Sequence, residues 1–449
     1  HQLRKFGLRF FFGAKGNGLE AADELGVSDV FSTPTWQVDR GRLENELARR
    51  VVAEGVTLVF GARARRVELD GTKRVHFENG DGSGTLEARW LIDAASRTSP
   101  LKRHLSLAKT NAHDVNANWF RVRGEIRVDG WSSDADWGAR TAGRPRWLST
   151  NQLMGPGYWV WIIPLASGAT SIGIVADPRY HALDELRTLP ASLTWLERHQ
   201  PRLAAAIEPA DVLDFGYLRH FSHDCERLFS DDGWALTGEA GVFLDPLYSP
   251  GTDFIAISNT FIADLVRREL AGEDIRVRSR ALETVYRSLY DNTLSIYQGL
   301  YGGFGSARFM ALKTTWDYCY YWSLLALLFT NGAMTRLADD AALRNQLLTG
   351  VALNRGLQRR FRGAADTAGS EPGRGRFFDQ QDVPLMGELY SGLNDDLDPD
   401  ALLERVTGNV ERLGRLADCL GHRLAHPDAA PGDEVRALIG DRFPDLLAG

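Results

Sequence analysis

Cysteine is scarce in this 449-residue chain: Cys225, Cys319 and Cys419 are its three, far apart and odd in number. A disulfide scaffold and a clustered thiolate metal site are therefore not indicated, and the usage fits a reducing, cytoplasmic setting. Positive charge is not in excess either. With 52 Lys and Arg against 59 Asp and Glu the net charge is −7, which argues against a nucleic-acid partner. No apolar run is long enough for a membrane span. The most apolar stretch, residues 318–334, is short and rich in tyrosine, and reads as a buried helix or the lining of an aromatic or acyl-chain site. No secretory signal is visible. His220 and His223 lie near Cys225 but no further ligand set accompanies them. Residues 79–84, Asn-Gly-Asp-Gly-Ser-Gly, echo a calcium loop, yet its closing glutamate would fall on Trp90, so a hairpin turn is expected. Residues 13–18, Gly-Ala-Lys-Gly-Asn-Gly, have the reverse of the dinucleotide glycine spacing and no following Lys-Ser/Thr, so they read as a flexible loop before a helical pattern over 19–25.

What is present is concentrated in four segments. The first is Gly157-Tyr158-Trp159-Val160-Trp161-Ile162-Ile163-Pro164. Strand alternation puts Trp159 and Trp161 on one face, with Val160 and Ile162 on the other. Two indoles on one side could wall off a cavity, while the plainer reading is an amphipathic core strand ended by Pro164. The second runs from Trp234 through Thr237-Gly238-Glu239-Ala240 and Asp245-Pro246-Leu247-Tyr248-Ser249-Pro250-Gly251-Thr252 into a helix of small and apolar residues over 253–270. Glycines there allow close approach of the backbone to a ligand, and free N–H groups at a helix start can face a phosphate or a carbonyl edge. In the third, Asp39 is a good N-cap for a helix with apolar residues at Leu43, Leu47 and Val51. Expected strands follow at 56–60 and at Trp90-Leu91-Ile92-Asp93. The fourth is Lys5, just ahead of the apolar strand Leu8-Arg9-Phe10-Phe11-Phe12. A lysine near a terminus is usually a solvated charge, but a desolvated amine loses its proton easily and becomes nucleophilic.

Together these segments resemble the flavin-dependent halogenases, a tryptophan-halogenase-like family with the p-hydroxybenzoate-hydroxylase type of flavoprotein fold. Trp159 and Trp161 match the Trp-x-Trp-x-Ile-Pro signature. Gly238, Glu239, Pro246 and Gly251 fall on the family's Gly-Asp-Ala-x5-Pro-x4-Gly element, with Glu239 in place of the aspartate. Arg40 stands where an arginine lies over the flavin, and Asp93-Ala94-Ala95-Ser96-Arg97 resembles the family's Asp-Ala-x-Gly-Arg, with Ser96 for glycine. Lys5 matches the position of the essential lysine. The resemblance implies Lys5, Trp159 and Trp161 as catalytic residues. It implies Arg40, Asp93, Gly238, Glu239, Pro246, Gly251 and Thr252 as flavin contacts, and Ser249, Gly251 and Thr252 as halide contacts. The cofactor would be FAD, used as FADH2 from a separate flavin reductase, with chloride or bromide and O2 as co-substrates. Lys5 would capture hypohalous acid and present the halogen to an electron-rich aromatic carbon, phenol- or pyrrole-like, free or tethered to a carrier protein. The indoles would keep that substrate from the flavin.

Two departures qualify the match. Tyr248 replaces the acidic residue of the tryptophan-specific members, so free tryptophan is not the expected substrate, and Pro250 removes one backbone N–H from the halide loop. The family's opening Gly-x-Gly-x-x-Gly unit has no counterpart here, which leads to the expectation that the first dinucleotide-binding unit is missing from the sequence. Rival readings are an FAD-dependent monooxygenase or oxidoreductase of the same fold, and a non-catalytic binding protein. The expected class is α/β: a Rossmann-like FAD-binding domain interleaved with a mixed β-sheet substrate domain, then a helical C-terminal region. Residues 1–110 and 231–275 would belong to the flavin domain, 111–230 to the sheet-rich domain with a helix inserted over 183–198, and 276–449 to the helical region, broken by a Gly-rich linker over 363–375.

Overall fold

A computed structural model describes residues 2–13, 18–370, 372–426 and 433–440. Residues 14–17 of the glycine-rich loop lie outside the described residues. The centre of the molecule is an eight-stranded mixed sheet. Its order is Val212–Leu218, Asn116–Arg123, Ala169–Ala176, Tyr158–Pro164, Thr150–Gly155, Leu8–Phe12, Asp23–Gly26 and Phe377–Asp379. Most neighbours are antiparallel, but Leu8–Phe12 runs parallel to Thr150–Gly155, and Phe377–Asp379 parallel to Asp23–Gly26. A smaller parallel pair joins Leu91–Asp93 to Trp234–Leu236.

The period-2 pattern of the sheet sorts its side chains into two cores. One face sets Phe11, Phe120, Leu153, Val160, Ile162, Ile172 and Ile174 against Trp137, Trp195 and Leu196. The other sets Phe10, Phe12, Met154, Trp159 and Val175 against the helices Arg276–Leu294 and Ala307–Tyr320. Beyond these come the long helices Ala341–Ala365 and Pro399–Ala425. The mixed sheet followed by a helical C-terminal region is the α/β class expected from the sequence. The apolar stretch 318–334 is part of a buried helix, as read, that passes through a π-helical turn at Tyr321–Ala326. Among the described residues no helix is long and apolar enough to cross a membrane.

Residues 8–26 pair into the large sheet, the apolar strand Leu8–Phe12 finding its hydrogen-bond partner in Thr150–Gly155. Several expectations are corrected. The helical pattern over 19–25 yields one 3-10 turn, Leu19–Ala21, and the strand Asp23–Gly26; tertiary pairing overrides a short local signal. Residues 56–60 form no strand, and Phe60 is 76% exposed. Among the described residues no strand pairs with them. The inserted helix is Leu189–His199, delayed until Pro190 can occupy its first turn. Phe377–Asp379 adds a strand to the otherwise helical tail. The helix Arg40–Ala53 forms with Asp39 accepting from the Arg42 N–H, yet it buries no residue: Leu43, Leu47 and Val51 stand exposed. The hairpin expected at 79–84 joins Lys73–Asn79 to Gly82–Ala88.

Candidate active site

The strand Tyr158–Pro164 delivers both indoles to the face that meets the helices, with ring centroids 5.7 Å apart and planes tilted by 46°. The register aligns Trp161 with Gln152 and Phe10 on one side and with Gly173 on the other. Glycine is needed at 173, because a Cβ there would lie 2.1 Å from the Trp161 ring. Each indole N–H is held by a hydroxyl. Trp161 Nε1 donates to Ser171 Oγ at 3.1 Å, and Trp159 Nε1 to the Tyr301 hydroxyl at 3.0 Å. Tyr301 in turn donates to Asp245 Oδ2 at 2.6 Å, and His113 Nε2 lies 2.7 Å from the same oxygen. Asp245 Oδ1 accepts the Leu247 N–H at 2.9 Å. Tyr301, Asp245, His113 and Ser171 were not singled out by sequence reasoning. The spacing of Tyr297 and Tyr301 by one helical turn is a faint signal, and His113 offers none.

The loop carrying Asp245 leads to the expected flavin and halide residues. Gly238 adopts φ 56°, and Tyr248 and Ser249 are consecutive left-handed residues at φ 68° and 63°. The helix Pro250–Leu270 starts there, and Ser249 provides no side-chain cap, so the first-turn N–H groups are left without one. Pro250 sits in that first turn, where its missing N–H deprives the helix of no internal bond. Gly251 has open space around its Cα, and Thr252 is exposed. Glu239 Oε2 accepts from Ser96 Oγ at 2.8 Å, linking the turns beyond the two parallel strands, and Pro246 is partly buried. The ends of such strands are where open α/β sheets place ligands.

Two of the expected flavin contacts also make local structural bonds. Asp93 accepts from the Ala95 N–H at 2.8 Å, Ser99 Oγ at 2.7 Å and the Leu101 N–H at 2.9 Å, so its carboxylate builds its own turn. Arg40 is paired with Glu44 at 2.7 Å on an exposed helix surface.

Lys5 lies between the short strand Leu3–Arg4 and Leu8–Phe12, its backbone N–H bound to the Thr35 carbonyl. Its side chain is half-buried, and desolvation lowers the ammonium to about 8. The register rows Phe10–Gln152–Trp161 and Arg9–Asn151–Ile162 run toward Lys5. Lys5 therefore stands beyond the Pro164 end of the indole strand, and among the described residues no hydrogen bond or cation–π contact joins it to either indole. Beneath the Asp245 loop, Lys313 Nζ and Asp317 Oδ2 form a buried pair at 2.7 Å. Burial lowers the Lys313 ammonium and raises the Asp317 carboxyl. Tyr248, raised by burial and then by Asp317, packs edge-on to Phe10 and Tyr318. Burial also lifts Asp253 to about 6, against a hydrogen bond from Tyr321.

The fold is similar to that of solved flavoproteins and halogenases. The halogenase PltM superposes with TM-score 0.64 over 90% of this chain and 82% of its own, at 15% identity, and has been solved in complex with phloroglucinol and FAD. A flavoprotein/dehydrogenase from Cytophaga hutchinsonii matches with TM-score 0.53 over 69% of this chain and 72% of its own, at 22% identity.

No protein-family model matches the chain. Its sequence is similar to those of flavin-dependent halogenases. It is 24% identical over 383 residues, 77% of the chain, to flavin-dependent halogenase chlA of Dictyostelium discoideum. It is 27% identical over 269 residues, 57% of the chain, to a 1H-pyrrole-2-carbonyl-[peptidyl-carrier protein] brominase of Pseudoalteromonas luteoviolacea. The chain spans 62% of the length of each of these two proteins.

Proposed function

We propose that this chain carries the activity of an FADH2-dependent halogenase, installing chlorine or bromine on an electron-rich aromatic, phenol- or pyrrole-like, free or carrier-tethered. The observation that carries the reading is a desolvated Lys5 amine beside a sheet whose matching strand presents two paired indoles. At about 8, the amine is neutral in roughly one molecule in ten at pH 7, and the neutral form is the nucleophile. The left-handed Gly238, the open Gly251, the uncapped helix start and the polar Ser96–Glu239 pair fit the ribityl and ring end of FAD. When bound, reduced FAD supplies the two-electron chemistry that turns O2 and halide into hypohalous acid. Ser249, Gly251 and Thr252 hold halide at that helix start, Lys5 takes up the halogen, and Trp159 with Trp161 bar the organic substrate from the flavin. Asp93 and Arg40 support their segments. A separate flavin reductase supplies FADH2. The carrier-tethered acceptor is suggested by the pyrrole-carrier brominase among the relatives, and the phenolic one by the phloroglucinol complex of PltM.

The test is incubation of the protein with chemically reduced FAD, bromide and a panel of phenols and pyrroles, read by mass spectrometry. A brominated product is expected. Hydroxylated product without bromination would make the protein a monooxygenase, and a preparation that binds no flavin would make it a binding protein.

A further inference from the structure

Resting on that reading for its activity readout, we propose that Tyr301 and Asp245 are positioning residues that lock the indole partition to the loop 245–252. Tyr301 grips the indole strand at two points. Its carbonyl accepts the Gly157 N–H at 2.9 Å, at the turn into the strand, and its hydroxyl accepts Trp159 Nε1 at 3.0 Å. The same hydroxyl spends its proton on Asp245 Oδ2 at 2.6 Å. Asp245 is 1% exposed and collects three donors from three parts of the chain: Tyr301, His113 and the Leu247 N–H. One turn before Tyr301, Tyr297 donates to the Leu247 carbonyl at 3.0 Å, so both tyrosines pin the loop. Bonds to a buried carboxylate are short and strong, and unmaking one leaves its buried partners unsatisfied. Trp159 passes the constraint to Trp161, whose ring it touches. The side-chain link between wall and loop thus runs through one hydroxyl and one carboxylate, neither of which the reaction consumes.

The experiment combines 15N-indole NMR with product partition on the full chain. The indole resonance that disappears in Trp159→Phe is expected to shift in Tyr301→Phe. It is also expected to shift in Asp245→Asn, a substitution that does not touch the indole. With reduced FAD, bromide, a phenol and a diketone scavenger present, Tyr301→Phe should lower the ratio of halogenated phenol to scavenged hypohalous acid by about tenfold. Trp159→Phe/Tyr301→Phe should be no worse in that ratio than Trp159→Phe alone, since both act through one ring. A Trp159 resonance indifferent to Asp245→Asn, or additive losses in the double variant, would overturn the proposal. If the unsubstituted protein oxidises no halide, the halogenase reading fails while the NMR arm still decides the coupling. Should Tyr301→Phe melt out, Asp245→Asn carries the same comparison.

Discussion

The two faces of the strand Tyr158–Pro164 are built to different rules. Val160 and Ile162 enter a core of aliphatic and aromatic side chains and are themselves held by packing, the directional bonds of that face lying at its margin, where Tyr158 accepts from Gln200 and Trp195 donates to His181. Trp159 and Trp161 also lie in a packed environment, yet each N–H is tied to a named hydroxyl, a glycine is set under one ring, and a buried carboxylate stands behind the other. Apolar packing tolerates many arrangements of similar energy, whereas a directional bond selects one. The strand thus pairs a face that holds the sheet together with a face that holds two rings in place.

Substitutions can break that contrast. On the proposed function the largest effect is expected at Lys5, which stands off the strand, beyond its Pro164 end. Lys5→Ala should cut halogen transfer by about a thousandfold while leaving hypohalous acid to be caught by a scavenger. A parallel loss of both would remove Lys5 from the transfer step. On the packing face, Ile172→Ala, a fully buried side chain opposite Ile162, should cost about 3 kcal/mol in urea unfolding with product per folded molecule unchanged. A change in product distribution would mean that the two faces are not separable. Acidity sharpens the picture: because desolvation holds Lys5 near about 8, transfer should fall about tenfold per pH unit below that value and level off above it. A flat profile from pH 6 to 9 would show that the amine's proton is irrelevant. The smallest effect is expected from Gly173→Ala, whose added methyl must push the Trp161 ring aside and should lower the product-to-acid ratio about threefold.

Much of this was legible in the chain itself. Alternation located the indole strand with its ends, Asp39 announced its helix, and the Gly238–Gly251 element marked a loop that adopts the left-handed geometry its glycine allows. The signals that failed were those decided by distant partners. Residues 56–60 have strand composition but, among the described residues, no strand to pair with, and 19–25 follow a helical pattern that the sheet overrides. Asp245 lies within the loop singled out from sequence, but its importance depends on His113 and Tyr301, separated from it by 132 and 56 residues. No local periodicity encodes such a meeting. Asp93 shows the converse: the motif found the right turn, and the structure shows the carboxylate employed in building it.

Tyr248 and Ser249 are held left-handed without being glycine, at about 1–2 kcal/mol each. That leaves a small reserve of destabilisation stored ahead of the helix at Pro250. A laboratory effort to harden this protein against heat would find Ser249→Gly an easy gain, and would surrender with it the rigidity that aims the loop. Thermal robustness and fidelity of aim draw here on the same two peptide units.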